Sequence, residues 1–248
     1  MRFRILGTSD DVGAAAADII AQQIRRKPCS VLALPTGETP KAMYRALVDQ
    51  ARSGTLDLSQ VRTFNLDEFI GVGAEDPRSY HAYMRERLFE PACLSGDQTD
   101  VPNGIAEDLD GECRRYEDAI RAVGGLDLAV VGIGVNGHIG FNEPGSSWDS
   151  ITRPVDLAET TQRVSGYAGE LTRAITMGIA TIMAARRVVL LALGSSKREI
   201  LAQALRAEVT ERVPASILQR HADLTVLVDA AAATGLLSQA NALTGSVS

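Results

Sequence analysis

The chain reads as an α/β protein, a single domain over residues 1–248 with a Rossmann-like, mainly parallel sheet and helices on both faces. Three observations predict this. Short apolar runs alternate with longer amphipathic stretches, the pattern of successive βαβ units. Several of those runs pass directly into loops rich in glycine, hydroxyl or acidic residues, as strands do at the carboxyl edge of a parallel sheet. A chain of 248 residues with 45% hydrophobic residues can bury a large core without disulfides or metal. No internal repeat, low-complexity linker or shift in composition divides it.

In chain order, residues 2–6 form a short strand, and Thr8-Ser9-Asp10 offers caps for an alanine-rich helix over about 10–26. Cys29 to Leu34 is an apolar strand that enters Pro35-Thr36-Gly37-Glu38-Thr39-Pro40. Ala42, Met43, Ala46 and Leu47 then follow a helical period, with Pro40 suited to the first turn. Val61 to Leu66 forms a third strand and delivers Asp67-Glu68 at its carboxyl end. Asp76 to Tyr80 caps a helix running to about Phe89, Ser95 to Gly104 is a polar surface loop, and Asp108 to Val123 is amphipathic with Cys113, Tyr116 and Ile120 on one side. Leu126 to Val131 is a buried strand. Residues 144–170 lack periodicity and are expected to make a lid across the mouth of the sheet. Leu171 to Ala185 reads as a helix, Arg187 to Leu193 as a strand, and Gly194-Ser195-Ser196-Lys197 as a βα turn. Pro214-Ala215-Ser216 starts a short helix, Leu224 to Val228 is the last strand, and Thr244 to Ser248 is an expected frayed tail.

The formal net charge of −6 excludes a broad nucleic-acid surface but allows a local cationic pocket. Cys29, Cys93 and Cys113 show no metal or redox spacing and read as small buried residues of a reduced, cytoplasmic protein. The N-terminus is too short in apolar residues for a signal peptide, and no stretch approaches the roughly 20 apolar residues of a membrane span.

The chemistry centres on the loop after the strand from Leu126. Gly132, Gly134, Gly137 and Gly140 let the backbone turn tightly and approach a ligand. Into that backbone the sequence sets His138 and, five residues later, Glu143, a pairing suited to proton transfer. A glycine-rich turn whose histidine merely bonds the backbone would have the same spacing. The loop from Thr36 to Thr39 can present backbone N–H groups and a helix start to a phosphate, although it lacks Walker spacing. Lys197 opposes the dipole of its own helix, which hints at an anion partner. In a right-handed parallel sheet the loops carrying Thr36/Thr39, Asp67/Glu68, His138/Glu143 and Lys197 line one rim. The set suits proton transfer on a phosphorylated sugar or sugar lactone, with no metal-ligand set and no cofactor.

The blocks Leu34-Pro35-Thr36-Gly37-x-Thr39-Pro40, Phe64-Asn65-Leu66-Asp67-Glu68-Phe69, Ser79-Tyr80, Gly132 to Pro144 and Gly194-Ser195-x-Lys197 resemble, in order and across nearly the whole chain, the glucosamine-6-phosphate deaminases. Phe69 and the run Ile139 to Pro144 distinguish them from the related 6-phosphogluconolactonases. The resemblance implies a cofactor-free, deaminase-like hydrolase/isomerase acting on a phosphorylated amino sugar. His138, oriented by Asn136 and Glu143, would open the pyranose ring, and Asp67 would carry a proton between C2 and C1. Thr36, Gly37, Glu38, Thr39 and Lys197 would line the phosphate site, with Tyr80 packed beside it. A lactonase of the same fold and a non-catalytic sugar-phosphate sensor are the alternatives.

Asn136 stands where some family members carry an aspartate and others an asparagine, and three further positions depart from the family pattern. Glu38 stands beside the expected phosphate and should turn outward or pair with Lys41 or Lys197. Where family members place a lid arginine, this chain reads Val164-Ser165-Gly166-Tyr167-Ala168, leaving Arg163 or Arg173 as substitutes. Val155 replaces a lysine used by allosterically regulated members, although Arg153 and Ser146 remain, so an unregulated enzyme is expected.

Overall fold

The computed structural model describes residues 1–234 and Leu236; the tail from Thr244 lies outside the described residues. Its strands are β1 (Arg2–Leu6), β2 (Val31–Leu34), β3 (Arg62–Asn65), β4 (Asp67–Phe69), β5 (Thr99–Asp100), β6 (Leu128–Gly132), β7 (Arg153–Asp156), β8 (Arg173–Thr176), β9 (Val188–Ala192) and β10 (Leu224–Asp229). Its helices are α1 (Ser9–Arg26), α2 (Lys41–Arg52), α3 (Tyr80–Met84), α4 (Leu109–Ala122), α5 (Glu159–Ser165), α6 (Ile179–Met183) and α7 (Arg198–Arg206). A single π turn, Arg85–Phe89, continues α3.

Seven strands form one sheet in the order β1-β10-β9-β6-β2-β3-β5, and every pairing in it is parallel. Alternation along its central strands feeds two cores, because successive side chains leave opposite faces. Leu32, Leu34, Leu128, Val130, Val189 and Leu191 pack with α1 and α2, whereas Val31, Ala33, Ala129, Val131, Val188 and Leu190 pack with α4, α6 and α7. Local caps agree with the sequence. Thr8 and Asp11 form a capping box on α1, Ser79 caps α3, and Asp108 caps α4.

A second sheet, β4-β8-β7, is antiparallel and was not expected. It corrects the reading of Leu171 to Ala185 as one helix. Only Ile179–Met183 is helical there, and Arg173–Thr176 pairs with both β4 and β7. The periodicity misleads because β8 is buried at Ala174, Ile175 and Thr176 in succession, so its apolar run suits either element. Gly178, two residues beyond the strand, precedes α6 where a Cβ would lie 2.1 Å from the Ser150 carbonyl oxygen, which fixes the chain direction into that helix.

The expected lid segment contains β7 and α5, and it folds over a third apolar cluster of Phe69, Val72, Phe141, Leu157, Leu171 and Ala174. The loop from Ser95 to Gly104 includes the short edge strand β5. Cys29 and Cys93 are exposed, contrary to the expectation of three buried thiols; Cys113 alone is buried. Each exposed cysteine sits in a turn beyond a helix end, where an apolar neighbour does not cover it. Among the described residues no helix is long and apolar enough to cross a membrane.

Candidate active site

Strands β9, β6 and β2 are neighbours, so the loops at their carboxyl ends meet. Together with β4, α3 and the lid they enclose a cavity of about 730 Å³. Thr36, Gly37, Glu38, Thr39, Asp67, His138 and Lys197 all line it. Asn136 and Glu143 stand behind His138 instead of facing the cavity.

Leu66 positions the carboxylates. Its N–H donates to the Leu34 carbonyl at 3.2 Å, and its own carbonyl accepts from Met177 N–H at 2.6 Å, so the chain steps there from the large sheet to the small one. The step swings Asp67 and Glu68 inward, and both are buried. They are not equivalent. Glu68 accepts N–H bonds from Phe69, Tyr80 and His81 and an O–H bond from Ser79, all at 2.8–2.9 Å. Asp67 receives no donor among the described residues and opens on the cavity. Burial, and secondarily the charge of Glu68, raise the Asp67 carboxyl to about 8. Burial also raises Glu68, against the four donors that hold it down.

The glycines after β6 allow a second close approach. Gly134 N–H donates to the His138 carbonyl at 2.9 Å, and the imidazole lies where a Cβ on Gly134 would be 2.2 Å from Cε1. His138 Nδ1 points to Glu143 Oε2 at 3.6 Å and to Thr161 Oγ1 at 3.3 Å. Asn136, expected to orient His138, makes no bond to the ring itself. Its Oδ1 accepts the backbone N–H of His138 at 3.2 Å, and its Nδ2 donates to Glu143 Oε2 at 2.6 Å. It therefore fixes the loop and the carboxylate, and acts on the ring only through them. Burial pushes the Glu143 carboxyl up, but bonds and charge from His138, with Thr161 and Asn136, outweigh it and leave the group below the usual carboxylate range.

At the opposite end, Gly37 adopts a positive φ of 91° and turns the loop from Thr36 to Thr39. Two tyrosines brace it from behind: Tyr44 donates to the Pro35 carbonyl, and Tyr83 to the Gly37 carbonyl at 2.7 Å. Glu38 meets both conditions set for it, since it is 87% exposed and binds Lys41 Nζ at 2.5 Å. Lys197 precedes α7 and is half-buried, and burial lowers its ammonium from the ordinary value. Among the described residues no carboxylate pairs with it. Tyr80 is packed against Phe69, 4.8 Å between ring centroids, and stacks on Phe141 at 6.0 Å.

This is a pocket with a cationic end and, at the other end, a buried carboxylate and a carboxylate-backed histidine suited to proton transfer. The sequence profile described as "Glucosamine-6-phosphate isomerases/6-phosphogluconolactonase" matches residues 7–227. The chain belongs to this family. It is 43% identical over 239 residues to glucosamine-6-phosphate deaminase of Thermoanaerobacter pseudethanolicus, covering 94% of each chain. It is 45% identical to the Rhodopirellula baltica enzyme of the same name, covering 94% of this chain and 95% of that one. A solved monomeric glucosamine-6-phosphate deaminase superposes with a TM-score of 0.92 at 40% identity, over 95% of this chain and all 100% of that one. The 6-phosphogluconolactonase of Trypanosoma cruzi shares the fold at a TM-score of 0.80 and 20% identity, over 95% and 96% of the two chains.

Within this family fold, several cavity residues carried no signal in the sequence. Thr161 sits in the aperiodic segment and reaches His138 only because α5 folds back over the loop. Arg78, Tyr83, Arg87, Val135, Val164 and Tyr167 also line the cavity. Tyr83 and Arg87 could have been marked from the helical spacing to Tyr80. The proposed lid substitutes are elsewhere. Arg163 pairs with Glu159 at 3.0 Å and Arg173 with Asp156 at 3.5 Å, both outside the cavity lining.

Proposed function

We propose that the chain is a cytoplasmic aldose–ketose isomerase and deaminase that converts glucosamine 6-phosphate and water to fructose 6-phosphate and ammonium. The observation that carries this reading is the pairing of Asp67 and His138 in one cavity. Asp67 is buried, without a donor among the described residues and raised to about 8, and His138 is backed by Glu143. A base for a weakly acidic C–H must be more basic than an ordinary carboxylate, and burial supplies that.

The phosphate rests against the loop from Thr36 to Thr39 and Lys197. With Nδ1 of His138 turned to Glu143 and Thr161, Nε2 remains for the sugar. It takes the proton of the anomeric hydroxyl and returns it to the ring oxygen as the C1–O5 bond breaks. Asp67 removes the C2 proton, and the electron pair of that C–H bond forms the C1–C2 double bond while the substrate's 2-ammonium gives a proton to the aldehyde oxygen, leaving an enol that carries a neutral amine at C2. The proton returns to C1, leaving an iminium at C2. Water adds to C2 and the C2–N bond breaks, releasing ammonia, which is protonated in solution. Glu143, held by Asn136, stabilises the imidazolium each time His138 carries the proton.

Incubation of the purified protein with glucosamine 6-phosphate, with ammonium and fructose 6-phosphate assayed together, tests the proposal. Equal amounts of the two products are expected, and Asp67→Asn should reduce them at least about a thousandfold. Turnover no faster than that variant, or hydrolysis of 6-phosphogluconolactone without ammonium release, would overturn it.

A further inference from the structure

A phosphomonoester brings between one and two negative charges to the cavity at neutral pH, and a single half-buried ammonium is a small counterweight. The arginines of the lid do not supply more, since Arg163 and Arg173 are paired outside the cavity lining. Four cations line the cavity: Lys41, Arg78, Arg87 and Lys197. Lys41 is bound by Glu38 at 2.5 Å. Arg78 is gripped by Asp76 through two nitrogens, at 2.7 and 3.0 Å, and also reaches Glu170 of the lid at 3.4 Å. Arg87 is different. Its ion partner among the described residues is the neighbouring Glu86, at 3.2 Å and 70% exposed, a weak surface tie.

Arg87 also faces the right way. Tyr80, Tyr83 and Arg87 follow the spacing i, i+3 and i+7, so they share one side of α3 and its π continuation. All three line the cavity. Tyr83 donates to the Gly37 carbonyl at the turn of the expected phosphate loop, and the charge of Arg87 acts on the Tyr83 phenol. Arg87 thus lines the same cavity as the phosphate loop, on the helical segment that braces that loop.

We propose that Arg87 is the arginine that binds the substrate phosphate in this chain, acting from the helix side of the cavity in place of a lid arginine. The proposal rests on the sugar-phosphate reading of the cavity. It makes phosphate capture a property of the scaffold, with Lys197 and Arg87 both lining the cavity beside the loop from Thr36 to Thr39.

Steady-state kinetics of Arg87→Ala, Arg87→Gln and Arg163→Ala test it, together with calorimetric titration of fructose 6-phosphate and of inorganic phosphate. Loss of a charge-assisted contact predicts a KM for glucosamine 6-phosphate about 10–100-fold higher in both Arg87 variants, with kcat within about threefold. The affinities for fructose 6-phosphate and inorganic phosphate should fall in parallel, while Arg163→Ala stays within about twofold. Arg87→Gln keeps most of the side-chain packing, so matched melting temperatures separate a binding loss from misfolding. Unchanged KM and phosphate affinity in folded Arg87→Gln would overturn the proposal. A wild-type protein that binds phosphate through Arg87 yet releases no ammonium would refute the deaminase reading alone.

Discussion

In the proposed reaction Asp67 is the residue on which the chemistry turns, and its acidity has two measurable consequences. The native protein keeps the proton up to about 8, whereas an unfolded aspartate releases it near 3.8. Between those values the folded state binds more protons, so stability falls as pH rises and levels out above the higher one. Replacing Asp67 with asparagine removes that penalty. Asp67→Asn should therefore melt several degrees higher than wild type at pH 9 and close to wild type at pH 4. Activity should move the other way, with kcat/KM rising tenfold per pH unit below about 8 as the carboxylate forms. A pH-independent difference in melting temperature would show that Asp67 is not held protonated. Asp67, His138 and Glu143 were legible because their loops follow recognisable strands. Thr161 was not, since it becomes a cavity residue only through tertiary folding, and Arg87 carries no sequence signal beyond its spacing to Tyr80.

At the scale of the element, the loop after β6 holds His138 by backbone economy. The imidazole occupies the volume a side chain at Gly134 would need, 2.2 Å from an added Cβ. Gly134→Ala should displace the ring by about 1 Å and lower kcat roughly a hundredfold. Because Gly134 has ordinary backbone geometry, the melting temperature should change by only about 3 °C or less. Full activity in that variant would mean that the ring has another workable seat. The strands of the large sheet were legible because β2, β6, β9 and β10 are buried on both faces and bounded by polar loops. The small sheet was hidden for a physical reason. β4 is only three residues long and β7 and β8 four each, too short for a period of two to stand out. Their pairing also depends on partners far apart in sequence.

Across the whole molecule, the cavity lies where the two sheets are joined, and Leu66 is the joint. One of its backbone groups bonds β2 of the large sheet and the other bonds the residue following β8 of the small one. The phosphate end belongs to the large sheet through the loop from Thr36 to Thr39 and Lys197. The proton-transfer end belongs to both, because Asp67 lies on β4, while Phe141 N–H donates to Thr176 Oγ1 on β8 at 3.0 Å. A ligand that touches both ends should therefore tie the two sheets together. With fructose 6-phosphate at a hundred times its Kd, mass action adds about 2.7 kcal/mol, or roughly 5–10 °C in melting temperature. Amide exchange should slow at residues 36–40 and, at the same ligand concentration, along β7 and β8. Inorganic phosphate, which reaches only the cationic end, should protect residues 36–40 and leave the small sheet at its unliganded rate. Equal protection of both regions by phosphate alone would mean that the sheets are already coupled without the sugar, and that the lid contributes to anion binding after all.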